Sequence, residues 1–240
     1  MKYFAALFGA AAMASCLGGC GSSSPSALEL ASAHPDSLAA AKYVSIGRSD
    51  LPSGYTQSPA PARADSQDAA QTLAEYRCEG IDPPDGPAPL SWKTPDFTDS
   101  SGTTELHEAT TVFSSSSAAE SHLALELNPR YPTCKATAFR NALIASAPAG
   151  EHIGFVTVHV SDLPPKFGDR GVEVEGLSTL TLAGGISALA TSELVVMIRG
   201  HLAAELSVET EGQAGTGLLD QLTSDLAKRL AQVVPNASSR

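Results

Sequence analysis

The stretch from Ile186 to Val208, ISALATSELVVMIRGHLAAELSV, gives the clearest strand pattern in the chain. Its first part, from Ile186 to Ile198, is rich in apolar residues and predicts a strand. Gly200 then permits a tight reversal into a second strand, in which alternate positions are apolar: Leu202, Ala204, Leu206 and Val208. Two strands joined by a short glycine turn predict an antiparallel hairpin.

Further strand patterns precede this hairpin. In the segment Ile153 to Val160, Val156, Val158 and Val160 alternate with other residues, which is typical of a strand with the valines on one face. Val172 to Leu182 predicts another strand, with a kink or bulge expected at Gly176. Gly184-Gly185 is typical of a hairpin turn, so we expect an antiparallel meander.

An amphipathic helix is expected after the meander, from about Gly217 to Val234. Its leucines recur at helical spacing, and Asp220 near its start and Lys228-Arg229 near its end suit the helix dipole. The combination predicts an α+β fold, an antiparallel β-meander covered on one face by helices.

A strand and a helix are also expected in the middle of the chain. The period of two from Thr103 to Phe113 favours a strand. The next helix would begin at the capping box Ser117-Ala118-Ala119-Glu120 and end near Asn128, because Pro129 and Pro132 disfavour its continuation.

The segments before this strand give weaker signals. Tyr43 to Ile46 is expected to be a first strand, and Ser66 to Tyr76 a short helix. Residues 80–102 are rich in proline and glycine near their start, which indicates an irregular surface loop. Trp92 lies in that loop, and we expect it either to pack onto the domain or to mark a contact surface.

The N-terminus has the pattern of a bacterial lipoprotein signal. Lys2 supplies a positive charge, and the apolar stretch that follows is too short to span a membrane. It ends in Leu17-Gly18-Gly19-Cys20, which resembles a lipobox. Cys20 would then become the mature N-terminus and carry a diacylglyceryl group with acyl chains such as palmitate. The alternative is ordinary secretion, with Cys20 unmodified or in a disulfide.

This signal implies four segments. Residues 1–19 would be the signal peptide, and residues 20–40 the lipidated cysteine and a flexible, Ser-rich tether. Residues 41–235 are expected to form a single α+β domain, and residues 236–240 a tail. The protein would lie on the outer, extracytoplasmic face of the cell membrane, held by the lipid anchor.

Charge narrows the choice of partners. The 240-residue chain has a formal net charge of −11 and contains no basic run. Nucleic acids and anionic lipid surfaces need clustered Lys or Arg, so the composition disfavours both as partners. An unknown small molecule or protein remains as the expected partner of the domain.

The number and positions of the cysteines are consistent with an exported protein. Cys16 would leave with the signal and Cys20 would be acylated, which leaves Cys78 and Cys134 in the mature domain. An even pair in an oxidising compartment predicts a disulfide between these two residues.

No pattern for catalysis, cofactor binding or metal binding was found. His107-Glu108 begins like a zincin helix motif, but Thr111 stands where the second histidine is needed, and the segment is expected to be a strand. The chain lacks the serine elbow, the phosphate-binding loop and the dinucleotide fingerprint. His152 and His159 are expected to be ordinary strand histidines. We therefore expect no catalytic, cofactor-binding or metal-ligating residues, and no cofactor.

The order of these features resembles a known family. It comprises the lipobox, the Ser-rich tether, Asp50-Leu51-Pro52-Ser53-Gly54-Tyr55, Cys78, a strand ending in Val112-Phe113-Ser114, Cys134, and the meander with its terminal helix. This order is similar to actinobacterial, mycobacterial-type surface lipoproteins of the sensor-domain type. These resemble the extracellular sensor domain of mycobacterial receptor serine/threonine kinases. The resemblance implies an envelope location and ligand sensing, and it supplies no catalytic residues.

The functional hypothesis is a membrane-anchored lipoprotein of the cell envelope that is not an enzyme. Its sensor-like domain would bind a ligand or a partner on the concave side of the meander. A carrier of a hydrophobic envelope ligand is the first alternative and predicts an enclosed apolar cavity. A secreted hydrolase with a non-local active site is the second and predicts a cleft where His, Ser and Asp converge.

Overall fold

A sheet of eight antiparallel strands forms the centre of the part of the chain that the structure describes. The structure is a computed structural model, and it describes residues 35–57, 74–82, 89–147, 152–181, 185, 187–212 and 216–234. The strands are β1 Thr56–Gln57, β2 Leu90–Lys93, β3 Phe97–Thr98, β4 Thr104–Val112, β5 His152–Asp162, β6 Arg170–Thr181, β7 Ser187–Arg199 and β8 Leu202–Glu211. Their order is β1-β3-β4-β8-β7-β6-β5, and β2 also pairs with β4.

Helices flank this sheet. They are α1 Pro35–Val44, α2 Ser116–Glu126, α3 Tyr131–Ser146 and α4 Thr216–Val233, and residues 74–79 are also helical. Short 3-10 helices span Arg48–Asp50 and Pro165–Phe167. Among the described residues, no helix is both long and apolar enough to cross a membrane.

One core lies between the sheet and helices α1 and α4. Ala41 and Val44 of α1 and Leu222 and Leu226 of α4 are fully buried against strand residues such as Leu206. Each leucine buried in this way stabilises the fold by roughly 1.5–3 kcal/mol. The leucines that predict the terminal helix are therefore the ones that attach it to the sheet.

A second core lies on the other face of the sheet, beneath α2 and α3. Leu123 of α2 and Phe139 of α3 pack with Val174, Leu194 and Val196. The two cores share strand β7, whose alternate residues face one core or the other. Val195 and Met197 belong to the first core, and Leu194, Val196 and Ile198 belong to the second.

The predicted α+β class and the antiparallel meander are confirmed, since β5, β6, β7 and β8 follow one another in the sheet. The expectation that helices cover only one face of the sheet is wrong, because helices pack on both faces. A strand buried on both faces is apolar along its whole length, whereas a strand with one solvated face alternates. The run Leu194-Val195-Val196-Met197-Ile198 is apolar throughout, as expected of a strand buried on both faces.

The predicted strand at Tyr43 to Ile46 is wrong. Tyr43 and Val44 instead complete helix α1, which begins at Pro35 and so lies partly within the segment predicted as tether. The alanines before Tyr43 are strong helix formers. Ala41 and Val44, three residues apart, are fully buried on the same side of the helix, so tertiary packing outweighs the strand preference of the last residues.

The helix after β4 begins earlier than predicted. Its N-cap is Ser115, whose hydroxyl accepts a hydrogen bond from the backbone N–H of Ala118 at 3.1 Å, and its last residue is Glu126. Helix α3 was not predicted at all. Pro132, the expected helix stop, instead lies in the first turn of α3, where proline is tolerated because an N–H at that position would have no partner within the helix.

Two details of the sheet also differ from expectation. The predicted loop at residues 80–102 contains strands β2 and β3, and Trp92 in β2 packs against the first core. The bulge predicted at Gly176 is wrong, because β6 keeps its register with both neighbours there. The register shift lies between Ile153 and Val156 of the edge strand β5, and sheet edges are common places for bulges.

Candidate functional site

The two cysteines of the predicted pair are joined by a disulfide in the structure. Cys78 is the next-to-last residue of the helical segment 74–79, and Cys134 lies in the first turn of α3. The disulfide therefore links the short helical segment 74–79 to helix α3. Cys20 and the predicted signal lie outside the described residues.

A cluster of charged side chains includes Glu79 and Lys135, the residues that follow the two cysteines in sequence, and we call it the acid cluster. It brings together residues from three helices and the sheet: Glu75, Glu79, His122, Glu126, Lys135 and Glu205. His122 Nε2 lies 3.0 Å from Glu205 Oε1, and Lys135 Nζ donates to Glu75 Oε1 at 3.0 Å. Four carboxylates thus share a small volume with two cationic side chains.

Burial controls the protonation of the acid cluster. The side chain of Glu126 is 3% exposed, and burial raises its pKa to about 7, with His122 acting in the opposite direction. Burial, and then the charge of Glu75, raise the pKa of Glu79 to about 7. Burial alone would lower the pKa of His122, but the hydrogen bond and charge of Glu205 outweigh it and raise the pKa to about 9. The cluster therefore retains protons near neutral pH.

A second polar group lies on strands β4 and β8. Glu105 is directly opposite Glu209, and His107 is opposite Ser207. A ring nitrogen of His107 and one carboxylate oxygen from each of Glu105 and Glu209 lie within 4.8 Å of one another. Asp96, just before β3, contacts His107 Nδ1 through Oδ1 at 2.6 Å. One nitrogen and two oxygen donors in such a group can ligate a metal ion.

This group was missed by sequence reasoning, which considered His107 together with Glu108. Adjacent residues of a strand point to opposite faces, so these two cannot share a site. Glu108 faces the first core, where its Oε1 accepts a hydrogen bond from Thr110 Oγ1 at 2.8 Å. The partner that completes the group, Glu209, is distant in sequence, and only the pairing of β4 with β8 brings it to His107.

A small open cleft lies between the end of α2 and the turn that follows β5. Its volume is about 220 Å³, and its described lining includes both apolar and charged side chains: Leu123, Leu127, Leu163, Phe167, Asp162, Asp169 and Arg170. Pockets for small-molecule ligands are usually about 300–1,000 Å³. This cleft does not match the enclosed apolar cavity expected of a carrier, and its described lining includes neither His nor Ser.

Comparisons with known proteins do not assign the chain to a family. No protein-family model matches it, and no curated protein matches it. A similar solved structure is the extracellular domain of PknH from Mycobacterium tuberculosis, with 11% sequence identity and a TM-score of 0.40. The match covers 80% of this chain and 95% of that chain. The family resemblance noted in the sequence stays a prediction.

Proposed function

We propose that this chain is a lipid-anchored protein of the bacterial cell envelope, whose extracytoplasmic domain binds a ligand or partner protein and performs no catalysis. The observation that carries the proposal is Leu17-Gly18-Gly19-Cys20 at the end of a short apolar N-terminal stretch. Acyl chains on Cys20 would anchor the protein, because two or more chains on one residue give stable membrane attachment.

The disulfide supports an extracytoplasmic location. Disulfides persist in oxidising compartments and are rare in the reducing cytosol. The bond between Cys78 and Cys134 joins elements that are separated by 56 residues in sequence and contribute to the same buried cluster. A bond at this position constrains the folded domain rather than a terminal tail.

The binding surface proposed here differs from the one expected from the sequence. The open concave face of a meander cannot serve, because helices cover the central strands on both sides. The cleft beside α2 is a better candidate, since it is open and is lined by both apolar and charged side chains. Such a surface suits a small polar group or a short loop of a partner protein.

Anchoring is tested by comparing Cys20→Ser with Cys16→Ser in a bacterial host that processes lipoproteins. Cys16 lies in the same signal and serves as the matched control. We expect Cys20→Ser to move the protein from the membrane fraction to the medium, and Cys16→Ser to leave it in the membrane. An unchanged membrane pool in Cys20→Ser would contradict the proposal.

Binding is tested by native mass spectrometry of the full chain, purified in detergent from that host. We expect a non-covalent adduct that is lost in Leu127→Arg, which would fill the cleft with a charged side chain. Ala124→Arg adds the same charge on an exposed position of α2 and should retain the adduct. An adduct that survives Leu127→Arg would place the binding surface elsewhere.

A further inference from the structure

We propose that Glu105, His107 and Glu209 form a binding site for a divalent transition-metal ion, with Zn²⁺ as the best match, and that Asp96 positions the histidine. This inference goes beyond the proposed function and does not depend on membrane anchoring. It starts from the placement of all three ligand residues on two paired strands of the central sheet.

The distances suit a metal site that needs only small side-chain adjustments. The three candidate ligand atoms lie within 4.8 Å of one another. Zn²⁺ binds histidine nitrogen and carboxylate oxygen at about 2.0–2.2 Å, so neighbouring ligands of a tetrahedral ion are roughly 3.3 Å apart. The continuous register of β4 with β8 fixes the backbone beneath these side chains, and rotation of flexible glutamates can close the remaining gap.

Asp96 gives His107 the orientation of a metal ligand. Its carboxylate contacts Nδ1 at 2.6 Å, which favours a proton on that nitrogen and leaves the lone pair on Nε2. A carboxylate paired with the non-ligating nitrogen is the usual outer partner of a metal-bound histidine. In the part of the chain that the structure describes, Nε2 is buried and has no hydrogen-bond partner. A bound cation would satisfy this nitrogen.

Charge favours a cation at the same place. Glu105 and Glu209 are directly opposite each other on neighbouring strands, an arrangement in which like charges repel. A divalent ion between them replaces this repulsion with attraction. The side chain of His107 is 15% exposed, so solvent reaches the group, whereas Glu209 is only 1% exposed and forms its inner wall.

The donor set selects the class of metal. Imidazole nitrogen suits Zn²⁺ and neighbouring transition metals, whereas Mg²⁺ and Ca²⁺ prefer oxygen ligands alone. Three protein ligands leave one position of a tetrahedral ion for water or for a donor atom of a bound molecule.

The test is a zinc titration of the full chain, stripped of metal with a chelator and followed by isothermal titration calorimetry. We expect one equivalent of Zn²⁺ per chain. Glu105→Gln and His107→Gln should each weaken binding at least tenfold, and Asp96→Asn should weaken it 10- to 100-fold while every ligand remains. His152→Gln, an exposed histidine on β5, should bind as wild type.

Folding is checked separately, by circular dichroism and urea unfolding of each metal-free variant. Glu105 is partly exposed, so Glu105→Gln keeps the test valid if a substitution at His107 impairs folding. No zinc binding by the wild type would overturn the proposal. Equal loss in His152→Gln and His107→Gln, or wild-type affinity in a folded Glu105→Gln, would also overturn it.

Discussion

Glu108 makes the stability of this protein depend on pH. Its side chain is 3% exposed in the first core, and burial raises its pKa from 4.5 to about 7. In the described part of the structure, Oε2 has no hydrogen-bond partner. Each pKa unit corresponds to about 1.4 kcal/mol, so ionising Glu108 in the folded protein costs about 3 kcal/mol more than in the unfolded chain.

The sign follows from proton binding. Between pH 4.5 and 7 the folded protein retains a proton on Glu108 that the unfolded chain has lost, so stability falls as pH rises. Above pH 7 both states are ionised, and the full penalty of about 3 kcal/mol remains. Glu108→Gln stays neutral at every pH and therefore lacks this decline.

Urea unfolding of wild type and Glu108→Gln at pH 4 and pH 8 measures the effect. The unfolding free energy of Glu108→Gln minus that of wild type should be about 3 kcal/mol larger at pH 8 than at pH 4. Any cost of placing the amide group is present at both pH values and cancels in this difference. Glu120→Gln, on an exposed position of α2, is the control and should follow wild type. Parallel pH profiles for Glu108→Gln and wild type would show that Glu108 does not cause the decline in stability.

Three further predictions concern the disulfide, the acid cluster and a close approach of strands β6 and β7. Replacing both Cys78 and Cys134 by alanine removes a link across 56 residues and should lower the unfolding free energy by about 4 kcal/mol; an unchanged urea midpoint would contradict this. The imidazole of His122 should titrate near pH 9 by NMR, so its stabilising effect is complete below pH 6.5 and is lost as pH rises through 9; a midpoint near 6.5 would count against the buried pair. Gly171→Ala would place a methyl group 2.8 Å from a carbonyl oxygen of β7 and should cost about 1–3 kcal/mol in urea unfolding. Gly217→Ala meets no atom within 4 Å and is its control, and equal effects of the two would refute the steric argument.

The long strands and helix α4 could be predicted because each carries its own periodicity over many residues. Helix α3 was missed although Tyr131, Phe139 and Leu143 have helical spacing, because Pro132 was interpreted as a stop. Strands β2 and β3 are too short to show the alternation of apolar and polar residues that indicates a strand. They form because each pairs with β4.

The packing of helices on both faces of the sheet could also have been inferred from the sequence. The uninterrupted apolar run from Leu194 to Ile198 indicates a strand buried on both sides. The polar sites could not be inferred in this way, because their members are distant in sequence. His107 meets Glu209, and His122 meets Glu205, only after the strands have paired and α2 has packed on the sheet.

The lipid anchor at Cys20 is tested by mass spectrometry of the N-terminal peptide from the membrane fraction. We expect a mature chain that begins at Cys20 and carries a diacylglyceryl thioether on its sulfur. A peptide that runs intact through Gly19 and Cys20, or a mature chain that begins at another residue without lipid, would contradict it.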